Sequence, residues 1–153
     1  MNFDSDLKKD LLQRFLRYVK IDTQTEERSD SYPSTAKQFD LLNLLTEELE
    51  ELGLDVVQDE HGYVMATLES THEQGHNKGV PTIGFLAHVD TSPDVTGANV
   101  KPQVIESYDG GVITLPGEPG LTLDPAEFPG LETAKGHTVI TTDGTTLLGA
   151  DDK

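Results

Sequence analysis

Residues 82–87, Thr-Ile-Gly-Phe-Leu-Ala, form an apolar run opened by Pro81 and preceded by a stretch, 69–79, without one apolar side chain. A run of this length suits a strand buried on both faces, and such a strand needs neighbours beside it and layers above and below. Upstream, two amphipathic helices are predicted. Over residues 4–20, Leu7, Leu11, Leu12, Phe15, Leu16 and Val19 fall on one stripe, with Asp4 or Ser5 as the cap. After Pro33, with Ser34 or Thr35 as the cap, Phe39, Leu42, Leu45, Leu49 and Leu52 form a second stripe that Gly53 ends. Glu47, Glu48, Glu50 and Glu51 crowd its last turns and read as a solvated face. Two short strands, 55–58 and 63–68, flank a His61-Gly62 turn. Residues 91–136 are rich in glycine and proline, with a strand-like piece at 112–115. A further strand is expected at 138–141, before the turn Asp143-Gly144. Helices followed by a buried strand predict an α/β layer architecture. His88-Val89-Asp90 then sits at the C-terminal end of that strand, where open α/β sheets bind ligands.

Charge narrows the function. Among 153 residues, Lys+Arg number 11 and Asp+Glu 28, a formal net charge of −17. Nucleic acid and anionic membrane would be repelled, so neither is an expected partner. Cysteine is absent, which removes thiolate nucleophiles and Cys-ligated zinc and leaves His, Asp and Glu as metal ligands. The opening residues carry no apolar leader, and no run approaches ~18 apolar residues, so a soluble cytoplasmic protein is expected.

Three patterns carry candidate chemistry. His72-Glu73-Gln74-Gly75-His76 matches H-E-x-x-H, in which two histidines one helical turn apart bind zinc. With an internal glycine and no apolar face, this segment reads as a solvated loop rather than the helix the motif needs. In His88-Val89-Asp90, residues i and i+2 of an extended strand point to one side, about 6–7 Å apart. Such a pair can supply a metal ligand and the carboxylate that orients it, although by itself the tripeptide more often marks a buried histidine bonded to its neighbour. Asp151-Asp152 follows the apolar 147–150, and a carboxylate can bridge two metals, although an acidic pair is also simply solvated in many chains. No phosphate-binding glycine loop and no serine nucleophile elbow is present.

Longer phrases resolve the choice. Gly84-Phe85-Leu86-Ala87-His88-Val89-Asp90-Thr91-Ser92-Pro93-Asp94 and the stretch 140–153, ending Gly149-Ala150-Asp151-Asp152-Lys153, closely resemble the peptidase T family. These are tripeptide aminopeptidases among the hydrolases with two co-catalytic zinc ions. Pro33-Ser34-Thr35 and residues 99–106 are similar to the same family, and the likeness keeps its order along nearly the whole chain.

The resemblance implies that His88 binds one zinc, that Asp90 orients His88 as the catalytic-site carboxylate, and that Asp151 bridges both ions. It also implies a cis peptide bond between Asp151 and Asp152. The implied fold is part of a three-layer α/β catalytic domain with a mostly parallel central sheet, cut at its C-terminal side. Residues 1–153 would be the N-terminal part of that domain. The rest of it, a lid domain, the general-base Glu and the remaining ligands would lie beyond Lys153. The isolated chain is therefore expected to bind zinc weakly or at a single site and to be inactive. Short peptides are the implied substrates, and homo-oligomer formation stays open. A related two-zinc hydrolase of acylated amino acids and a noncatalytic acidic binding module are the competing readings.

Overall fold

The computed structural model describes residues 3–71 and 80–153. His72 and His76, and with them the H-E-x-x-H match, lie outside the described residues.

Helix α1 spans Phe3–Tyr18 and α2 spans Gln38–Glu51. The stripe on α1 is only partly covered: Val19, one residue past its end, is fully buried, whereas Leu7 and Leu11 are exposed. Leu41 and Leu42 are the buried centre of α2, and Leu52 is exposed. Neither expected hydroxyl caps α2. Lys37 holds the N-cap position without a side-chain bond. The Ser34 and Thr35 hydroxyls instead accept from the Gln38 amide at 3.1 Å and 3.3 Å, and the Thr35 hydroxyl lies 2.8 Å from the Gln24 carbonyl. Gly53 ends α2 as anticipated, at φ +80°, with Leu54 N–H reaching back to Leu49 O at 3.2 Å.

One of the four glutamates is not solvated. Glu48 is buried, and its carboxylate accepts hydrogen bonds from Arg14, Arg17 and the Tyr18 hydroxyl. Three donors from α1 thus grip one acceptor on α2, and charge assistance compensates for desolvating the carboxylate. Burial, and then the bond to Glu48, push the Tyr18 hydroxyl's pKa up, which keeps it a donor.

Strands β1 (Asp55–Gln58) and β2 (Val64–Thr67) pair antiparallel in a hairpin against α2. Its turn is as the sequence predicts: Gly62 takes φ +84°, and Asp59 Oδ1 accepts from the backbone of His61 and Tyr63. Beyond it, β3 (Gln103–Ile105) pairs with β6 (Val139–Thr141), and β4 (Ile113–Thr114) with β5 (Thr122–Leu123). A short helix, α3 (Gly130–Thr133), lies between β5 and β6. Tyr108, Ile113 and Leu115 form a buried cluster, covered by Ile105, Leu123, Leu131, Ala134 and Val139.

The architecture is therefore mixed α and β, but the expected central sheet does not form among the described residues. All three sheets are two-stranded and antiparallel, and the parallel element is a single bridge, Gln24 to Thr91. Residues 82–87 lie in no strand. Ile83 is 75% exposed and Phe85 97%, and Leu86 is wholly exposed. The reason is physical: a strand apolar on both faces gains from pairing only with strands beside it, and no described strand lies there. Nor is a three-layer arrangement present among these residues. No described helix is long and apolar enough to cross a membrane.

Candidate metal centre

Residues 21–25 are the scaffold of the site. They run beside 89–91 in a short parallel register. Thr91 N–H donates to Thr23 O (3.2 Å), Thr25 N–H to Thr91 O (3.0 Å), and the buried Thr23 hydroxyl to Val89 O (2.6 Å). The Gln24 side-chain amide faces the carbonyls of Ser92, Pro93 and Val95 at 3.1–3.3 Å. Asp22 accepts from Gln24 N–H at 3.0 Å and from the Lys37 ammonium at 2.9 Å. These bonds hold the polypeptide on both sides of Asp90 in an extended conformation.

Extension puts His88 and Asp90 on one side, as their spacing requires. Asp90 Oδ1 lies 3.0 Å from His88 Nδ1. This bond, ahead of the opposing effect of burial, raises the imidazole pKa. At the opposite ring nitrogen, Nε2, stands Asp152, with Oδ1 at 3.3 Å. Asp152 arrives on a turn after Gly149, whose φ is +66° and where a Cβ would sit 3.1 Å from Thr91 Cγ2. Burial, and then the charge of Asp151, raise the Asp152 pKa, while His88 lowers it.

Asp151 is exposed on the same turn, and the carboxylate facing His88 is Asp152. The peptide bond between them is trans, the one cis bond among the described residues being Tyr32-Pro33. A cis bond without proline costs about 3 kcal/mol and persists only where surroundings enforce it, and Asp151 is open to solvent here. Sequence reasoning missed Asp152 as the neighbour of His88, because two adjacent carboxylates on a turn point different ways and composition cannot choose between them. It missed Thr23 and Gln24 as well; the β-branched Thr23 in a polar stretch was the available signal.

A zinc ion with donors at about 2.0–2.2 Å in a tetrahedron sets neighbouring donors about 3.3–3.6 Å apart. The 3.3 Å between His88 Nε2 and Asp152 Oδ1 fits one such edge. The carboxylate on the far ring nitrogen is the usual orienting partner of a ligating histidine. Among the described residues no three His, Asp or Glu side chains converge to hold a metal, so the donors present make an edge of a site rather than a closed one. Of the other described histidines, His61 is exposed on its hairpin turn, 3.9 Å from Glu60, and lines the same cavity as His88 and Asp90, whereas the His137 backbone bonds to Tyr108 and Ala134.

Comparison with known proteins bears on this arrangement. No protein-family model matches the chain. Curated relatives do. A protein named Peptidase T from Geobacillus thermodenitrificans is 56% identical over 148 residues, 96% of this chain. Peptidase T of Bacillus cereus is 56% identical over 149 residues, and that of Alkaliphilus oremlandii 57% over 146. Over nearly its whole length the chain is similar to proteins named Peptidase T. It spans about 35% of the length of those peptidase T proteins. His88 and Asp90 sit deep inside the span shared with peptidase T, since at most seven residues fall outside a 146-residue match to a 153-residue chain.

Proposed function

We propose that this chain is the N-terminal part of a zinc-dependent aminopeptidase that releases the first residue of tripeptides in the cytoplasm. The likeness to peptidase T supports the reaction class. The observation that carries the site is the His88 imidazole, with Asp90 on one nitrogen and the acidic 151–152 turn at the other. His88 and the 151–152 carboxylates are the groups that would hold metal, Asp151 being the more exposed of the two carboxylates. Bound there, zinc supplies Lewis acidity and a water of lowered pKa. Asp90 fixes the proton on Nδ1, which leaves the Nε2 lone pair free to ligate. It also keeps the ring from rotating. Asp152, partly withdrawn from solvent, concentrates negative charge where a cation is to be held.

In this reading the remaining ligands, the general-base Glu and a lid domain belong to the rest of a longer protein, and this chain alone does not turn over. Residues 82–87 become a central strand of a mostly parallel, three-layer sheet once their neighbours are supplied. Their exposed Ile83, Phe85 and Leu86 support that role, since apolar side chains of this size are rarely left bare in a row.

The test is hydrolysis of a tripeptide panel by the longer protein, with and without chelator, beside the isolated chain. Expected are N-terminal release that chelation abolishes and zinc restores, and no turnover by the chain alone. Activity indifferent to chelation overturns the reading, and a preference for acylated amino acids reassigns the substrate.

A further inference from the structure

The two halves of the site come from distant parts of the sequence, and the Lys153 side chain reaches from the second half to the scaffold of the first. Lys153 extends its ammonium to the Ile21 carbonyl, across 132 positions of sequence. Ile21 opens the 21–25 segment, which is already registered against 89–91 through Thr23 and Thr25. One residue before Lys153 stands Asp152, facing His88 Nε2. We infer that Lys153 is a positioning residue: by tying the acidic turn to the 21–25 segment it sets the distance between Asp152 and the His88 imidazole.

Chemistry and charge agree with this placement. Lys153 is partly buried, and its desolvation outweighs the favourable charges of Asp22 and Asp152, so its pKa is lowered. Asp22 is itself held by Lys37 and by the Gln24 N–H, so the partner Lys153 approaches does not move freely. A lysine carries its donors on a flexible four-carbon stem, which suits reaching a carbonyl on a distant segment. The close approach of Gly149 to Thr91 brings the turn near, and van der Waals contact of this kind sets no direction. The Lys153 bond does, because Ile21 O lies on the same segment that fixes Val89 and Thr91. Asp90 thus orients the imidazole from one side, and Lys153 places the carboxylate on the other.

This inference rests on the metal-site reading above, and the experiment separates the two. In the chain, nuclear Overhauser contacts between the His88 ring and the Asp152 β-protons are compared for the wild type, Lys153→Gln and Lys153→Arg. Zinc affinity is measured by calorimetry on the same samples. Lys153→Gln is expected to lose the contact and to weaken zinc about tenfold or more, while Lys153→Arg keeps the contact and stays within about threefold of wild type. A melting temperature shared by all three chains shows that the loss is local, and if the Gln variant does not fold, Lys153→Met serves in its place. An unchanged contact in the Gln and Met variants overturns the inference, whereas a lost contact with unchanged zinc affinity upholds the placement by Lys153 and overturns Asp152 as a metal ligand. If the wild type binds no zinc, the metal reading fails while the Overhauser comparison still decides whether Lys153 places Asp152.

Discussion

Asp143 is a buried carboxylate that serves structure rather than the site. Its carboxyl accepts from the Thr145 hydroxyl at 2.6 Å, from Thr145 N–H at 3.0 Å and from Lys101 at 3.2 Å. Those bonds, the Thr145 hydroxyl foremost, hold its pKa down to about 2. An unfolded aspartate titrates near 3.9, so the folded state binds its proton less readily. Its stabilising contribution is therefore complete above about pH 4 and is lost as pH falls through about 2. Urea unfolding at several pH values should show Asp143→Asn less stable than wild type at neutral pH, with the gap narrowing across that window. A constant gap would show that the charge does not matter. Next to it, Gly144 holds φ +96°, and a Cβ there would sit 2.9 Å from Leu115 Cβ. Gly144→Ala should cost about 1–3 kcal/mol, read from the same urea curves, because both the backbone and the packing oppose it. The turn was legible from Asp143-Gly144. The depressed carboxylate was not, because its partners Thr145 and Lys101 are chosen by the folded loop.

At the level of elements, α1 and α2 are joined by Glu48 as much as by apolar stripes, since Leu7 and Leu11 are exposed. Glu48→Gln removes the charge that three donors share and should destabilise the chain by about 2 kcal/mol. Combining it with Arg14→Leu should cost less than the sum of the single changes, as expected of groups in one network, and a double-mutant cycle in urea measures this. Additivity would mean that the cluster is ornamental. Periodicity located both helices to within a few residues. It could not separate Glu48 from Glu47, Glu50 and Glu51, because all four crowd the same turns and only the position of α1 decides which is covered. The hairpin was legible for the opposite reason, its pairing being local and its His61-Gly62 turn explicit. The placing of 82–87 failed because a strand is defined by neighbours, and apolar composition describes one partner only.

The whole molecule leaves Ile83, Phe85 and Leu86 in water on the approach to His88. Burying such side chains is worth about 2 kcal/mol each, so the same substitution should act oppositely in two contexts. Replacing Phe85 and Leu86 by Ser should leave the stability of this chain unchanged and reduce its self-association in sedimentation. In the longer protein the same pair should cost several kcal/mol, on the order of 3 or more, in thermal or urea unfolding. Equal losses in both would place the run in a core already complete within this chain. The acidic pair and the histidine, by contrast, were visible as residues, and what the sequence withheld was which carboxylate meets the imidazole. The most direct measurement is a calorimetric zinc titration of the chain beside its His88→Ala variant. One weak site per chain, lost in the variant, is the predicted result. Two tightly held ions, or an affinity indifferent to the loss of His88, would contradict the account.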